Sequence, residues 1–204
     1  MRAFLAICLV ALCGFLFLKN SSQNRRICDM SGDTIITLGD SLANGYGVSE
    51  NDSFAIKTAL GLQKRAIKRG IDGEISAGLL SRIDSELNSQ NLAAIIISIG
   101  GNDFLRKIDK ATTERNIREI VRKAKAKTTC VVLLGVPDGL LGGLTGGVSS
   151  IYTDIAKSEG VLLEKSAMPK ILKQHSLKID EIHPNSEGHA IIAENIAKLI
   201  MNAK

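Results

Sequence analysis

Short aliphatic runs alternate with amphipathic stretches from Asp33 to the end of the chain, and this alternation leaves few folds open. Runs at 34–38, 93–99, 129–136 and 161–163 read as strands buried on both faces, with a weaker candidate inside 66–75. Helical periodicity fills the gaps. Residues 53–64 follow the cap candidates Asn51, Asp52 and Ser53, residues 81–88 form a shorter segment, and residues 113–125 line up Ile117, Ile120, Val121 and Ala124 on one face. A helix over 148–158 stops before Gly160, and one over 186–201 carries Ile191, Ile192, Ile196 and Ile200. Such alternation predicts an α/β domain with right-handed crossovers and helices on both faces of a parallel five-stranded sheet. No internal repeat or linker divides it.

Composition agrees with a sheet covered by helices. Apolar residues make up 45% of the 204 and aromatics only 3%, with no Trp, so the core must be Ile, Leu, Val and Ala. So few aromatics disfavour a nucleic-acid reader that stacks bases, and no nucleic-acid partner is expected. The net charge of +5 permits anionic partners without selecting one. Lys64, Arg65, Lys68, Arg69, Arg115, Arg118, Arg122, Lys123, Lys125 and Lys127 read as solvated helix faces and ends.

Residues 3–18 are an unbroken apolar run of 16 behind Met1-Arg2. We read residues 1–27 as a signal peptide or an N-terminal membrane anchor, and 28–204 as the working domain. The protein is then exported, and either periplasmic or held at the membrane. Neither an Ala-x-Ala site nor a small residue before Cys8 or Cys13 decides between the two, and Lys19, Arg25 and Arg26 weakly oppose an outward orientation. Cys28 and Cys130 remain beyond this segment. In an exported protein they could pair, but Cys130 opens an apolar strand and reads first as a small buried hydrophobe, which favours two free thiols. No Cys or His spacing suggests a metal site.

Three blocks fall at strand ends or loops. Gly39-Asp40-Ser41-Leu42 follows the first strand, where a glycine lets the backbone turn and expose a serine, although the same residues also make an ordinary turn. Gly100-Gly101-Asn102-Asp103 ends the third run and sets a carboxamide at the same sheet edge, where it could donate to an oxyanion or simply form a turn. Asp180-Glu181-Ile182-His183-Pro184 precedes the last helix, and a spacing of three lets Asp180 reach the imidazole of His183. His175 and His189 lack such a companion and read as structural or solvated.

In order and spacing these blocks resemble the GDSL or SGNH hydrolases, closest to single-domain thioesterase I/lysophospholipase and arylesterase members. The resemblance runs from Thr34 to Leu199 and implies a flavodoxin-like three-layer fold. It implies Ser41 as nucleophile, His183 as base and Asp180 as its orienter, with no metal and no cofactor. The Ser41 N–H and Asn102 side chain would supply oxyanion donors. A third, a backbone glycine in the loop after the second strand, is assigned to Gly78, with Ala77 if the register shifts by one. Asp40 and Asp103 would brace their loops. The implied substrate is a small-molecule or lipid ester, and residues 137–147, glycine-rich with three leucines, are either an apolar wall for its acyl chain or a plain surface loop. Three other readings stay open: an O-acetylesterase acting on cell-wall or surface glycans, acyl transfer to a sugar, and a silent flavodoxin-like binding module.

Overall fold

The computed structural model describes residues 27–204 apart from 89–90 and 138–146. The first 26 residues of the expected leader, and most of the glycine-rich loop after the fourth apolar run, lie outside the described residues. Five strands, β1 (Thr34–Gly39), β2 (Arg65–Gly70), β3 (Leu92–Ser98), β4 (Val131–Leu134) and β5 (Leu162–Glu164), form one parallel sheet in the order β2-β1-β3-β4-β5. This is the flavodoxin-like order, whose switch point falls between β1 and β3, beyond their carboxyl ends.

Period-two alternation distributes the strand side chains between two cores. Ile35, Ala94, Ile96, Val132 and Leu134 face α2 (Phe54–Gly61), α7 (Ala167–Leu172) and α8 (Ser186–Asn202). Ile36, Leu38, Ile95, Ile97, Val131 and Leu133 face α3 (Ser76–Glu86), α5 (Lys110–Lys125) and α6 (Ser150–Glu159). Among the described residues two short helices, α1 (Ser41–Asn44) and α4 (Gly101–Leu105), start within three residues of a strand end.

Local chemistry explains where the elements depart from the sequence reading. The short segment read at 81–88 is the second half of α3, which starts at Ser76 because buried Asp103 accepts from the Ser76 N–H (2.8 Å) and hydroxyl (2.5 Å). Ser53 precedes α2 but does not cap it. Its hydroxyl donates to Glu50 O, and the Phe54 N–H is taken by Nδ1 of His189, 3.1 Å away and fully buried. Burial lowers the His189 pKa to about 4, helped by the nearby His183. α1, α4 and α7 are too short for periodicity to reveal.

Cys28 and Cys130 are bonded, which corrects the expectation of two free thiols. Both are buried, so the hydrophobic reading of Cys130 holds while its thiol is paired. The bond ties the domain's first residues to the start of β4, and the Cys28 N–H donates to Ala203 O at the end of α8. Much of the basic charge is paired across elements. Arg118, Arg122 and Lys125 converge on Glu159, Lys123 pairs with Asp84, and on the sheet-edge strand β2 Arg65 and Arg69 pair with Asp33 and Glu86. Among the described residues no helix is long and apolar enough to cross a membrane.

Candidate active site

The serine turn begins with a backbone that only glycine adopts comfortably. Gly39 has φ +144°, and a Cβ there would stand 1.7 Å from the Ser98 carbonyl oxygen on β3. The chain leaves β1 hydrogen-bonded from Asp40 N–H to Ser98 O (3.0 Å) and enters α1 at once. Asp40 caps that helix by accepting the Leu42 N–H at 3.1 Å. It is almost fully buried, and burial pushes its carboxyl up to about 7 against that hydrogen bond. Ser41 is the first residue of α1, where a backbone N–H has no partner within the helix.

The histidine arrives from the opposite end of the sequence. Residues 178–184 fold back on themselves, with an antiparallel bridge between Lys178 and Pro184 and a hydrogen bond from Ile179 N–H to His183 O. Inside this turn Asp180 Oδ1 accepts the backbone N–H groups of Ile182 (2.9 Å) and His183 (2.8 Å). Its Oδ2 lies 2.7 Å from His183 Nδ1. Partial burial raises the Asp180 pKa, but these hydrogen bonds and the imidazole outweigh it and hold the carboxyl below its ordinary value. With Nδ1–H donated to Asp180, Nε2 is left to accept from the Ser41 hydroxyl at 3.0 Å. The Tyr46 ring, tilted at 41° and 4.6 Å away between centroids, covers the imidazole.

Asn102 reaches the same cleft from α4, and its Nδ2 donates to Glu74 O at 3.1 Å. An amide nitrogen carries two hydrogens, and among the described residues Glu74 O takes only one, which leaves the other for a ligand. Ser41, Asn102 and His183 thus line one cleft of about 410 Å³ including its open mouth, with an apolar wall of Leu42, Leu105, Val136, Met168 and Ile182.

Gly78 does not share this arrangement. It lies within α3, and its N–H donates to Ile75 O at 3.0 Å, so it has no free donor to turn toward Ser41; Ala77 belongs to the same helix. The loop after β2 offers another glycine. Gly73 has φ +75° in a turn closed by Glu74 N–H to Ile71 O, beside the carbonyl that holds Asn102. The Asp72-Gly73 pair, one residue beyond the end of β2, was the turn signal for it. Met168, Leu105 and Tyr46 gave no comparable signal, since each is an ordinary residue of a short helix or turn. Asp103 braces α3, His189 is buried structure and His175 is exposed.

A hydroxyl, an imidazole and a carboxylate in series beyond the carboxyl edge of a parallel α/β sheet form the arrangement of a serine-type hydrolase. Residues 37–191 match the GDSL-like Lipase/Acylhydrolase family, and the chain belongs to it. It is 30% identical over 179 residues to thioesterase 1/protease 1/lysophospholipase L1 of Escherichia coli, covering 82% of this chain and 83% of that protein. Esterase TesA of Pseudomonas aeruginosa is 27% identical over 178 residues, covering 81% and 87%. In fold the chain is similar to a crystal structure of TesA (TM-score 0.72, 23% identity, 84% of this chain and 99% of that one). It is likewise similar to the esterase EstA from Pseudoalteromonas sp. (TM-score 0.70, 24%, covering 83% and 97%).

Proposed function

We propose that Ser41, His183 and Asp180 carry acyl transfer to water in this ester hydrolase, with Asn102 and the Ser41 and Gly73 N–H groups receiving the oxyanion. As Ser41 Oγ bonds the substrate carbonyl carbon, its proton passes to Nε2 of His183, and the carbonyl electrons move onto oxygen. Collapse expels the alcohol or thiol, which takes the proton from Nε2. Water then attacks the acyl-enzyme by the same route and regenerates Ser41. Asp180 stays ionised and stabilises the imidazolium.

One observation carries this reading: the unbroken series Asp180 Oδ2, His183 Nδ1, His183 Nε2, Ser41 Oγ, with contacts of 2.7 and 3.0 Å. Gly73 replaces Gly78 as the third donor because its N–H lies in the turn that carries Glu74, whereas that of Gly78 is used inside α3.

For substrate we favour a lipid acyl ester, a lysophospholipid or thioester included. The aliphatic side of the cleft supports it, as do the activities named for the Escherichia coli relative. The leader reading of residues 1–27 makes the enzyme exported, and the Cys28–Cys130 disulfide supports an oxidising compartment. Comparing kcat/KM on p-nitrophenyl acetate, a p-nitrophenyl ester of a long acyl chain and a lysophospholipid tests the substrate class. A preference for the long chains is expected, and a preference for acetate would favour the O-acetylesterase reading instead.

A further inference from the structure

We infer that Arg82 and Glu74 form a positioning pair that sets the carboxamide of Asn102 in the oxyanion site. The inference rests on the reading of Asn102 as an oxyanion donor. Glu74 is the residue whose carbonyl oxygen takes one hydrogen of Asn102 Nδ2, and this bond fixes where the other hydrogen points. The orientation of Asn102 is therefore only as good as the position of Glu74.

Glu74 sits in a loop, yet its side chain is only 7% exposed and its carboxylate is gripped by a fork. Arg82 Nε donates to Oε1 at 2.7 Å and Nη2 to Oε2 at 2.6 Å, a bidentate geometry that defines direction as well as distance. The same guanidinium reaches the ends of two strands. Nη2 also donates to Arg69 O on β2 (2.9 Å) and, more weakly, to Gly39 O on β1 (3.4 Å), one residue before Asp40-Ser41. Its Nη1 donates to Glu86 Oε1 at 3.1 Å, anchoring the group on α3. One side chain thus references the loop bearing Glu74 to the strand that delivers the nucleophile.

Gly78 has a place in this arrangement. A Cβ there would lie 3.0 Å from Glu74 Cγ, so its missing side chain leaves room for the Glu74 side chain under the helix. The glycine that sequence reading placed in the oxyanion site instead borders the pair that orients a donor.

The test is a double-mutant cycle that separates positioning from simple support of the fold. Arg82→Met, Arg82→Lys and Glu74→Gln are each made alone and with Asn102→Ala, and kcat and KM are measured on one p-nitrophenyl ester alongside thermal melts. Misplacing a reacting group by about an ångström costs on the order of 100-fold, so Arg82→Met is expected to lower kcat roughly 10- to 100-fold with little change in KM. Arg82→Lys, which keeps the charge but not the fork, recovers part of that loss. In the Asn102→Ala background the same substitutions cost about 3-fold or less, because the group they position is gone. Equal losses in both backgrounds would overturn the inference and leave the Asn102 assignment standing. Wild-type activity in Asn102→Ala alone would remove both. Should Arg82→Met fail to fold, Glu74→Gln decides, since it keeps the side chain's shape and loses only the ionic grip.

Discussion

His183 Nε2 stands 3.0 Å from Ser41 Oγ, a contact between residues 142 apart in sequence. Neither end of it is free to drift. Ser41 is fixed by a glycine that touches β3 and a buried cap, and His183 by a carboxylate that accepts three hydrogens, two from the backbone and one from its own ring. Asp180 therefore both shapes the turn and selects the tautomer.

Replacing Asp180 with Asn separates those roles. The side-chain oxygen can still accept from the Ile182 and His183 N–H groups, so the turn persists, but an amide facing Nδ1 disfavours the tautomer that leaves Nε2 as base. Loss of the orienting carboxylate in such a triad costs about 10⁴-fold in kcat. We expect a loss of 10³- to 10⁴-fold at a Tm close to wild type, measured by steady-state hydrolysis and thermal melts; a loss under tenfold would argue that Asp180 only caps the loop.

Asn102→Ala should lower kcat by about 100- to 1,000-fold, the cost of one oxyanion donor. Gly73→Ala tests the third donor proposed above. A side chain at φ +75° is strained by roughly 1–2 kcal/mol, so the turn must shift and activity should fall. Unchanged turnover in Gly73→Ala would return the third donor to open question.

Much of this candidate site was legible in the sequence because each proposed group sits in a short local pattern, two at strand ends and one in the loop before the last helix. Gly39-Asp40-Ser41, Gly100-Gly101-Asn102 and Asp180-x-x-His183 mark it, and the alternation of aliphatic runs gives the parallel sheet that brings their ends together. The strand positions follow from unbroken aliphatic runs and the long-helix positions from period 3.6. What was illegible depends on contacts between distant residues. The start of α3 is set by Asp103, 27 residues away from Ser76. Without that contact Gly78 looks like a loop residue, and Gly73 goes unnoticed. The Cys28–Cys130 bond spans 102 residues, which local pattern cannot reveal. Met168 reaches the cleft on a six-residue helix too short to show an amphipathic face.

Asp40 should make stability depend on pH. In the unfolded chain its carboxyl ionises near 4, whereas the fold holds the proton to about 7. Between these values the native state binds the extra proton, so this residue's contribution falls as pH rises. Asp40→Asn keeps the cap and cannot ionise. The Tm of the variant minus that of wild type is therefore expected to grow from pH 4 to 7 and level off above. His189, with its pKa lowered to about 4, acts in the opposite sense: stability is lost as pH falls from about 6.5 toward 4. It is present in both proteins and cancels from the difference. A pH-independent difference would contradict the burial argument for Asp40.

The disulfide should matter to stability and not to chemistry. Closing a loop of 102 residues stabilises by about 4–5 kcal/mol in the chain-entropy account. At this size that corresponds to roughly 10 °C or more in Tm. Cys28→Ala with Cys130→Ala should lower Tm accordingly while leaving kcat/KM at 25 °C unchanged, since Cys130 precedes β4 and Ser41 follows β1 at the other end of the sheet. A large fall in kcat/KM with little change in Tm would be the opposite result.

Ser41 as the acyl-accepting nucleophile is the claim on which the rest depends. Treating the protein with a fluorophosphonate and locating the adduct by peptide mass spectrometry tests it most directly. The account predicts one stoichiometric adduct on Ser41, concurrent loss of ester hydrolysis, and neither labelling nor turnover in Ser41→Ala. Hydrolysis that persists in Ser41→Ala, or an adduct on another residue with Ser41 unmodified, would contradict it.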